Sequence, residues 1–96
     1  MCTYATELVA LTGSAKGPHG WFPAVTATVY VDHPVHFAPG HALMVDVLNP
    51  ALGPDARVAL ELDAASAREL ATAILRALDG APAGLLDDVA QSSGVR

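Results

Sequence analysis

Cysteine and lysine are nearly absent from this 96-residue chain, which contains one of each, Cys2 and Lys16. A single cysteine excludes a disulfide within the chain, so the Cys2 thiol is free, bound to a metal or paired with another chain. The formal net charge of -5 leaves no cluster of Lys and Arg of the kind that binds nucleic acids and anionic membranes. We therefore expect neither nucleic acid nor a membrane as a partner.

Long apolar runs and an export signal are also lacking. No segment approaches the roughly 18 to 20 uninterrupted apolar residues of a membrane span. Residues 1–7 lack the basic start and the apolar stretch of a signal peptide, so a cytoplasmic location is expected. The hydrophobic fraction of 52% suffices for one packed core, and we predict a single domain over residues 1–80. Residues 81–96, with Pro82, Gly84 and a polar end, are predicted to form a flexible tail.

Apolar and polar residues alternate in several short segments, as they do in half-buried β-strands. We predict strands over residues 3–11, 24–32, 42–48 and 57–62. The segment 13–23 is rich in glycine and proline and is predicted to be a loop without regular structure. Asp63 is a suitable N-cap for an amphipathic helix that ends at Gly80. This ββββα order predicts a four-stranded antiparallel meander in a two-layer α+β fold, with the helix on one face.

The loop lengths predict which residues face each other across the sheet. In an antiparallel hairpin the residue numbers of each pair add to the same sum, which is twice the number at the centre of the loop. For the three predicted hairpins these sums are about 35, 74 and 105. The resulting pairs include Leu8 with Ala27, Val29 with Val45, and Val45 with Leu60. One face of the sheet is then apolar and is expected to lie under the helix. The same sums place Cys2, His33 and His41 side by side at one edge, near the start of the helix.

Three of the four histidines fall in one segment, where His33, His36 and His41 have the spacing H-x2-H-x4-H. Zinc and other late transition metals prefer imidazole and thiolate ligands. These histidines, with Cys2 as a fourth ligand, therefore predict a metal site. The alternative is that they serve only the loop and bind no metal.

The sequence does not decide whether such a site would be catalytic. A metal held by three histidines with an open position can promote hydrolysis, hydration or elimination on a small molecule. Asp32 and Tyr30 are the candidates for a supporting catalytic role. A second hypothesis makes Cys2 a thiolate nucleophile with His33 or His41 as its base.

The face of the predicted sheet opposite the helix mixes polar and apolar residues. One helix cannot cover both faces, so the apolar members of this open face, such as Met44 and Leu48, predict a homodimer or a higher oligomer. An assembly can also enclose a small-molecule pocket that one chain is too small to form. A non-enzymatic oligomeric binding module that uses this face is therefore the alternative to an enzyme. Trp21 is expected to anchor its loop to the core.

Four short segments give the chain a recognisable signature, namely Met1-Cys2-Thr3-Tyr4, Gly20-Trp21-Phe22, Asp32-His33-Pro34-Val35-His36 and Leu48-Asn49-Pro50. With them the chain resembles a family of small uncharacterised proteins of actinobacteria. The likeness covers most of the chain up to the helix. It implies a bacterial origin and transfers no catalytic residue.

Overall fold

The computed structural model describes residues 5–87 and places four strands and one long helix in that range. They are β1 (Glu7–Gly17), β2 (Gly20–Asp32), β3 (Ala42–Leu48), β4 (Arg57–Leu62) and α1 (Ala64–Gly80), with a short 3-10 helix at Pro50–Leu52. The strands form one antiparallel sheet in chain order. The predicted α+β class, a four-stranded meander followed by a C-terminal helix, is confirmed, as are the bounds of β3 and β4.

The register between the last three strands is also the predicted one. Val29 pairs with Val45 across β2 and β3, so the residue numbers add to 74. Val45 pairs in turn with Leu60 across β3 and β4, so the numbers there add to 105. The connections of these two hairpins, residues 33–41 and 49–56, are therefore symmetric about their centres, as the predicted register assumes.

The predicted irregular loop over residues 13–23 is wrong. Both strands continue through this segment to Gly17 and Gly20, which pair with each other and leave only Pro18 and His19 in the turn. Gly20 has a φ angle of 113°, a value that residues with a Cβ rarely adopt. Glycine and proline here build a tight hairpin turn, and they do not mark an irregular segment.

This hairpin shifts the first register by one residue. β1 carries a bulge between Ala10 and Gly13, where it contains one residue more than β2, and beyond the bulge Leu8 pairs with Thr28 and not with Ala27. Because side chains alternate along a strand, a shift of one residue exchanges the two faces of β1. Val9, opposite Ala27, takes the place predicted for Leu8 on the apolar face.

The pairing sorts the sheet into two faces of different character. What we call the valine face is the part of one side between the bulge and the β2–β3 loop, which is apolar apart from Glu7 at its edge and consists of Val9, Ala27, Val29, Val31, Leu43, Val45, Val47, Val58, Leu60 and Leu62. Lys16, paired with Trp21, lies on the same side near the hairpin tip. What we call the tyrosine face is mixed, and it includes Leu8, Phe22, Ala24, Thr28, Tyr30, Asp32, Ala42, Met44, Asp46, Arg57 and Glu61.

The sheet curls toward the tyrosine face, so that the tip of the first hairpin contacts the connection between β3 and β4. A Cβ atom added to Gly17 would lie 3.1 Å from the ring of Phe22 and 3.2 Å from the carbonyl oxygen of Asp55, so the tip rests directly on the β3–β4 connection. His19 Nε2 lies 2.9 Å from Asp55 Oδ2 at the same contact. Asn49 Nδ2 donates a hydrogen bond of 2.9 Å to the carbonyl oxygen of Pro23, which joins the connection to β2.

The core that results is small and lies mainly under this curl. The buried apolar residues among those described are Phe22, Ala24, Ala27, Ala42 and Ala56, and none of the large side chains there is completely buried. Four of these five residues are alanines. Within residues 5–87, Phe22 is therefore the one large apolar side chain that is buried.

The helix begins as predicted but covers little of the sheet. Asp63 Oδ1 accepts a hydrogen bond of 2.7 Å from the backbone N–H of Ser66, which confirms the N-cap. α1 approaches the valine face mainly at β3, and none of its residues is buried. Ile74 and Leu78, which were predicted to pack on the sheet, are 53% and 55% exposed.

The predictions for Trp21, Cys2 and the C-terminal tail have different outcomes. Trp21 does not anchor a loop to the core, because it is 70% exposed on β2. Cys2 and the segment 88–96 of the predicted tail lie outside the described residues. Within the described range no helix has the length and apolar character needed to cross a membrane.

Replacement of Gly17 by alanine tests the closure of the curl. A Cβ at this position would meet the Asp55 carbonyl, which belongs to backbone and cannot turn away, so we expect Gly17→Ala to lower the free energy of unfolding by about 1–3 kcal/mol. Gly13→Ala is the matched control, because a Cβ there meets nothing within 4 Å. Urea unfolding at one fixed protein concentration measures both. Equal stability of the two variants would contradict the close contact.

Candidate functional site

The segment between β2 and β3, residues 33–41, carries three of the four histidines and is closed by local hydrogen bonds. At its start Asp32 Oδ1 accepts a bond of 2.7 Å from the backbone N–H of His33. At its end His33 Nδ1 donates a bond of 2.8 Å to the carbonyl oxygen of Gly40. Since a carbonyl can only accept, this bond requires the proton on Nδ1 of His33. The ring of His33 thus serves to close the loop.

Glu61 of β4 holds the middle of the same loop. Its Oε2 accepts a hydrogen bond of 3.0 Å from the backbone N–H of Val35, and its Oε1 accepts one of 2.9 Å from that of His36. The His36 ring adds a longer contact, with Nδ1 3.7 Å from Glu61 Oε2. One carboxylate therefore grips two successive amides and fixes the path of the loop over the end of the tyrosine face.

These contacts favour the charged form of Glu61. The hydrogen bond from the Val35 amide, followed by that from the His36 amide, lowers the pKa of Glu61 below its ordinary value. The grip on the loop consequently persists at neutral pH and is released only in acid, when the carboxylate takes up a proton.

The predicted metal site is wrong. Among residues 5–87 no three His, Cys, Asp or Glu side chains are placed so that they could hold one metal ion. The prediction that His33 and His41 are neighbours is correct, but their rings lie side by side, with centroids 4.4 Å apart and planes tilted by 39°. His36 is drawn toward Glu61 and has a side chain that is 86% exposed. A metal-dependent enzyme with zinc as cofactor is therefore not supported.

Of the residues predicted to act in catalysis, Tyr30 and Asp32 lie within the described range, two positions apart on the tyrosine face. Cys2 lies outside that range, so its role as a nucleophile stays a prediction. Asp32 is occupied in capping His33. Tyr30 belongs to a separate hydrogen-bond network in the middle of the sheet. Supporting catalytic roles for Asp32 and Tyr30 also stay predictions.

That network crosses three strands of the tyrosine face and is centred on Asp46. The Tyr30 hydroxyl donates to Asp46 Oδ2 at 2.9 Å, and Arg57 Nη2 donates to Asp46 Oδ1 at 2.6 Å. Asp46 is buried, so its charge requires both partners. Burial and the hydrogen bond to Asp46 raise the pKa of Tyr30. At neutral pH Tyr30 is thus a hydrogen-bond donor and not a base, and the network joins β2, β3 and β4.

A cleft on the other side of the sheet is the feature that sequence reasoning missed. It has a volume of about 510 Å³ between the first half of α1 and the valine face, and its lining residues are Val29, Val31, His41, Ala42, Leu43, Ala64, Ala67, Arg68 and Ala71. The small side chains on one side of the helix were the feature of the sequence that could have indicated this cleft. Alanine occupies positions 64, 67 and 71, and such small side chains leave a gap where larger ones would fill it.

Comparisons with known proteins agree with the expectation of a family without an assigned activity. A family model described as a family of unknown function (DUF6295) matches residues 1–87. No curated protein matches the chain, and no solved structure does. The actinobacterial origin that the resemblance implies stays a prediction.

Acid titration tests the grip of Glu61. Because the folded state lowers the pKa of this carboxyl, its contribution is present above the unfolded pKa and is lost as the pH falls through the folded value. We expect the amide protons of Val35 and His36 to shift and to exchange faster with solvent as the pH falls below the ordinary pKa range of a glutamate. Glu61→Gln should remove this pH dependence, as followed by NMR.

Glu69→Gln is the control for this titration, because Glu69 lies on the exposed helix α1 and has no described contact with the loop. It should leave the two amide signals unchanged. Amide signals that ignore pH in the wild type, or that respond equally in both variants, would contradict the assigned role of Glu61.

Proposed function

The chain belongs to the family of unknown function DUF6295, and we propose that it acts as a homo-oligomeric binding module whose subunits join through the valine face and the apolar stripe of α1. The observation that carries the proposal is that both surfaces are only partly covered within one chain. A cytoplasmic location and a small-molecule ligand are further parts of the proposal that come from the sequence alone.

The first argument is the lack of a sufficient core in one chain. Complete burial of a large apolar side chain contributes about 1.5–3 kcal/mol, whereas ordering the backbone of one residue costs about 1–2 kcal/mol. Within the described residues Phe22 is the one large apolar side chain among the buried residues, and the others are alanines. Side chains that are partly buried add to this, but they leave a chain with 52% hydrophobic residues short of apolar contacts. A second copy supplies the missing ones.

The second argument is the position of the exposed apolar side chains. Val9, Val31 and Leu60 lie on the valine face, and their residues are 39–44% exposed to solvent. The apolar stripe of α1, which consists of Leu70, Ile74 and Leu78, is 44–55% exposed. Exposed residues scattered singly need no explanation, but a sheet face and a helix stripe that adjoin one another mark an interaction surface.

The third argument is area. Four strands about 4.8 Å apart, paired over some six residues of about 3.3 Å each, present roughly 400 Å² of flat surface. A helix of 17 residues adds a strip about 26 Å long and about 10 Å wide. Together these surfaces come to roughly 650 Å² before the part of the sheet under α1 is subtracted, which places the interface toward the small end of the range centred on about 800 Å² per partner.

A second copy fits this surface better than a charged partner does. The valine face carries one charged residue, Glu7 at its edge, and Lys16 lies on the same side of the sheet near the hairpin tip, so most of the surface that a partner meets is apolar. A two-fold axis places a self-complementary surface against itself, and an apolar sheet face with an apolar helix stripe meets that condition. The sequence pattern predicted self-association through the tyrosine face. Polar side chains of that face form hydrogen bonds within the chain, in the Asp46 network and in the Glu61 contacts.

Native mass spectrometry together with size-exclusion chromatography and light scattering tests the proposal. We expect a dimer or a larger oligomer, with a Tm that rises with protein concentration because association stabilises only the folded state. Ile74→Asp places a charge in the proposed interface and should raise the dissociation constant at least about tenfold.

Leu8→Asp is the matched control, because Leu8 is 73% exposed and belongs to the tyrosine face. This variant should keep the assembly of the wild type. A chain that stays monomeric with a concentration-independent Tm would overturn the proposal. An assembly disrupted by Leu8→Asp and not by Ile74→Asp would place the interface on the tyrosine face and would also contradict it.

A further inference from the structure

We infer that the cleft between α1 and the valine face binds a small amphipathic anion, a molecule with an aliphatic chain and a single carboxylate. The cleft is formed within one chain and does not depend on the interface proposed above. Its volume of about 510 Å³ falls in the range of small-molecule sites, which is roughly 300–1,000 Å³.

The walls of the cleft favour an aliphatic group. The sheet contributes Val29, Val31 and Leu43, and the helix contributes three alanines. The alanines recur at the spacing of one helix face, so they all point to the sheet where α1 comes closest to it. The cleft separates their methyl groups from the valines opposite. An aliphatic chain in this gap would bury apolar surface on both sides, at about 25 cal/mol per Å².

Arg68 carries the one fixed positive charge among the described residues that line the cleft, the imidazole of His41 also lines it, and no described carboxylate does. Arg68 also lacks a partner on its own helix, because the positions three and four residues away are Ala64, Ala65, Ala71 and Thr72. Within the described residues no salt bridge involves Arg68. This isolation contrasts with Arg57, which is bonded to Asp46.

The chemistry of arginine selects the charged end of the ligand. The aliphatic stem of an arginine lies readily on apolar surface while its guanidinium stays in water. The planar guanidinium binds a carboxylate through two parallel hydrogen bonds, which are among the strongest that proteins make. An aliphatic chain held by the valines and alanines, with its carboxylate at Arg68, satisfies both parts of the cleft at once.

Titration with decanoate and with decanol, followed by NMR of the alanine methyl groups, tests the inference. We expect decanoate to shift the signals of Ala64, Ala67 and Ala71, and to bind at least about tenfold more tightly than decanol. Arg68→Gln should reduce the affinity for decanoate about tenfold, to that for decanol. Ala71→Leu should weaken the binding of both probes, because the larger side chain fills the gap while it keeps the helix propensity high.

Arg76→Gln is the control, since Arg76 lies on the same helix and does not line the cleft. It should bind decanoate as the wild type does. Equal affinities for decanoate and decanol, shifts outside the cleft, or an effect of Arg76→Gln equal to that of Arg68→Gln would overturn the inference. So would an Arg68→Gln variant that loses self-association and keeps decanoate binding, because Arg68 would then bind a second copy.

The oligomeric state of every variant is measured in parallel, so that the two proposals can fail separately. A monomer that binds decanoate through Arg68 would overturn the proposed interface and support the cleft. An oligomer that binds neither probe would support the interface and overturn the cleft.

Discussion

The contact between the tip of the first hairpin and the β3–β4 connection is the constraint on which the rest of the structure depends. Gly17 permits it, because any side chain there would collide with the backbone of Asp55. Once the tip rests on the connection, the sheet must curl toward the tyrosine face, and Phe22 and Ala24 become buried inside the curl. The valine face is then the outer side of a curved sheet. A straight helix touches such a surface over a short length, which explains why α1 approaches it mainly at β3.

The part of the fold that could be predicted from the sequence is the part that local rules determine. The pairing of Val29 with Val45 and of Val45 with Leu60 follows from two hairpins whose loops are symmetric about their centres. The N-cap at Asp63 follows from the preference of carboxylates for free backbone amides at a helix start. The first register failed because glycine and proline between residues 13 and 23 were taken to exclude strands. In a curled hairpin these residues permit close approach and a tight turn.

The candidate site was harder to predict, since its geometry depends on residues far apart in the chain. The spacing of His33, His36 and His41 suggested convergence, and two of the three do come together. The third is held away from them because Glu61, 25 residues later, takes the amides of Val35 and His36. Nothing in the local sequence indicates that a β4 glutamate reaches this loop. The path of the loop therefore depends on Glu61 of β4, and the spacing of the histidines alone could not predict it.

The uncovered valine face and the cleft have one physical origin. A helix that followed the sheet closely would bury Ile74 and Leu78 and would close the gap beside Ala67, which would leave neither an interface nor a ligand site. A helix that diverges from a curved sheet leaves apolar surface on the sheet and on the helix exposed to solvent. Whatever fills these surfaces binds the folded state and not the unfolded one, so it stabilises the fold by mass action. The proposed self-association and the proposed ligand binding would therefore both depend on the angle between α1 and the sheet.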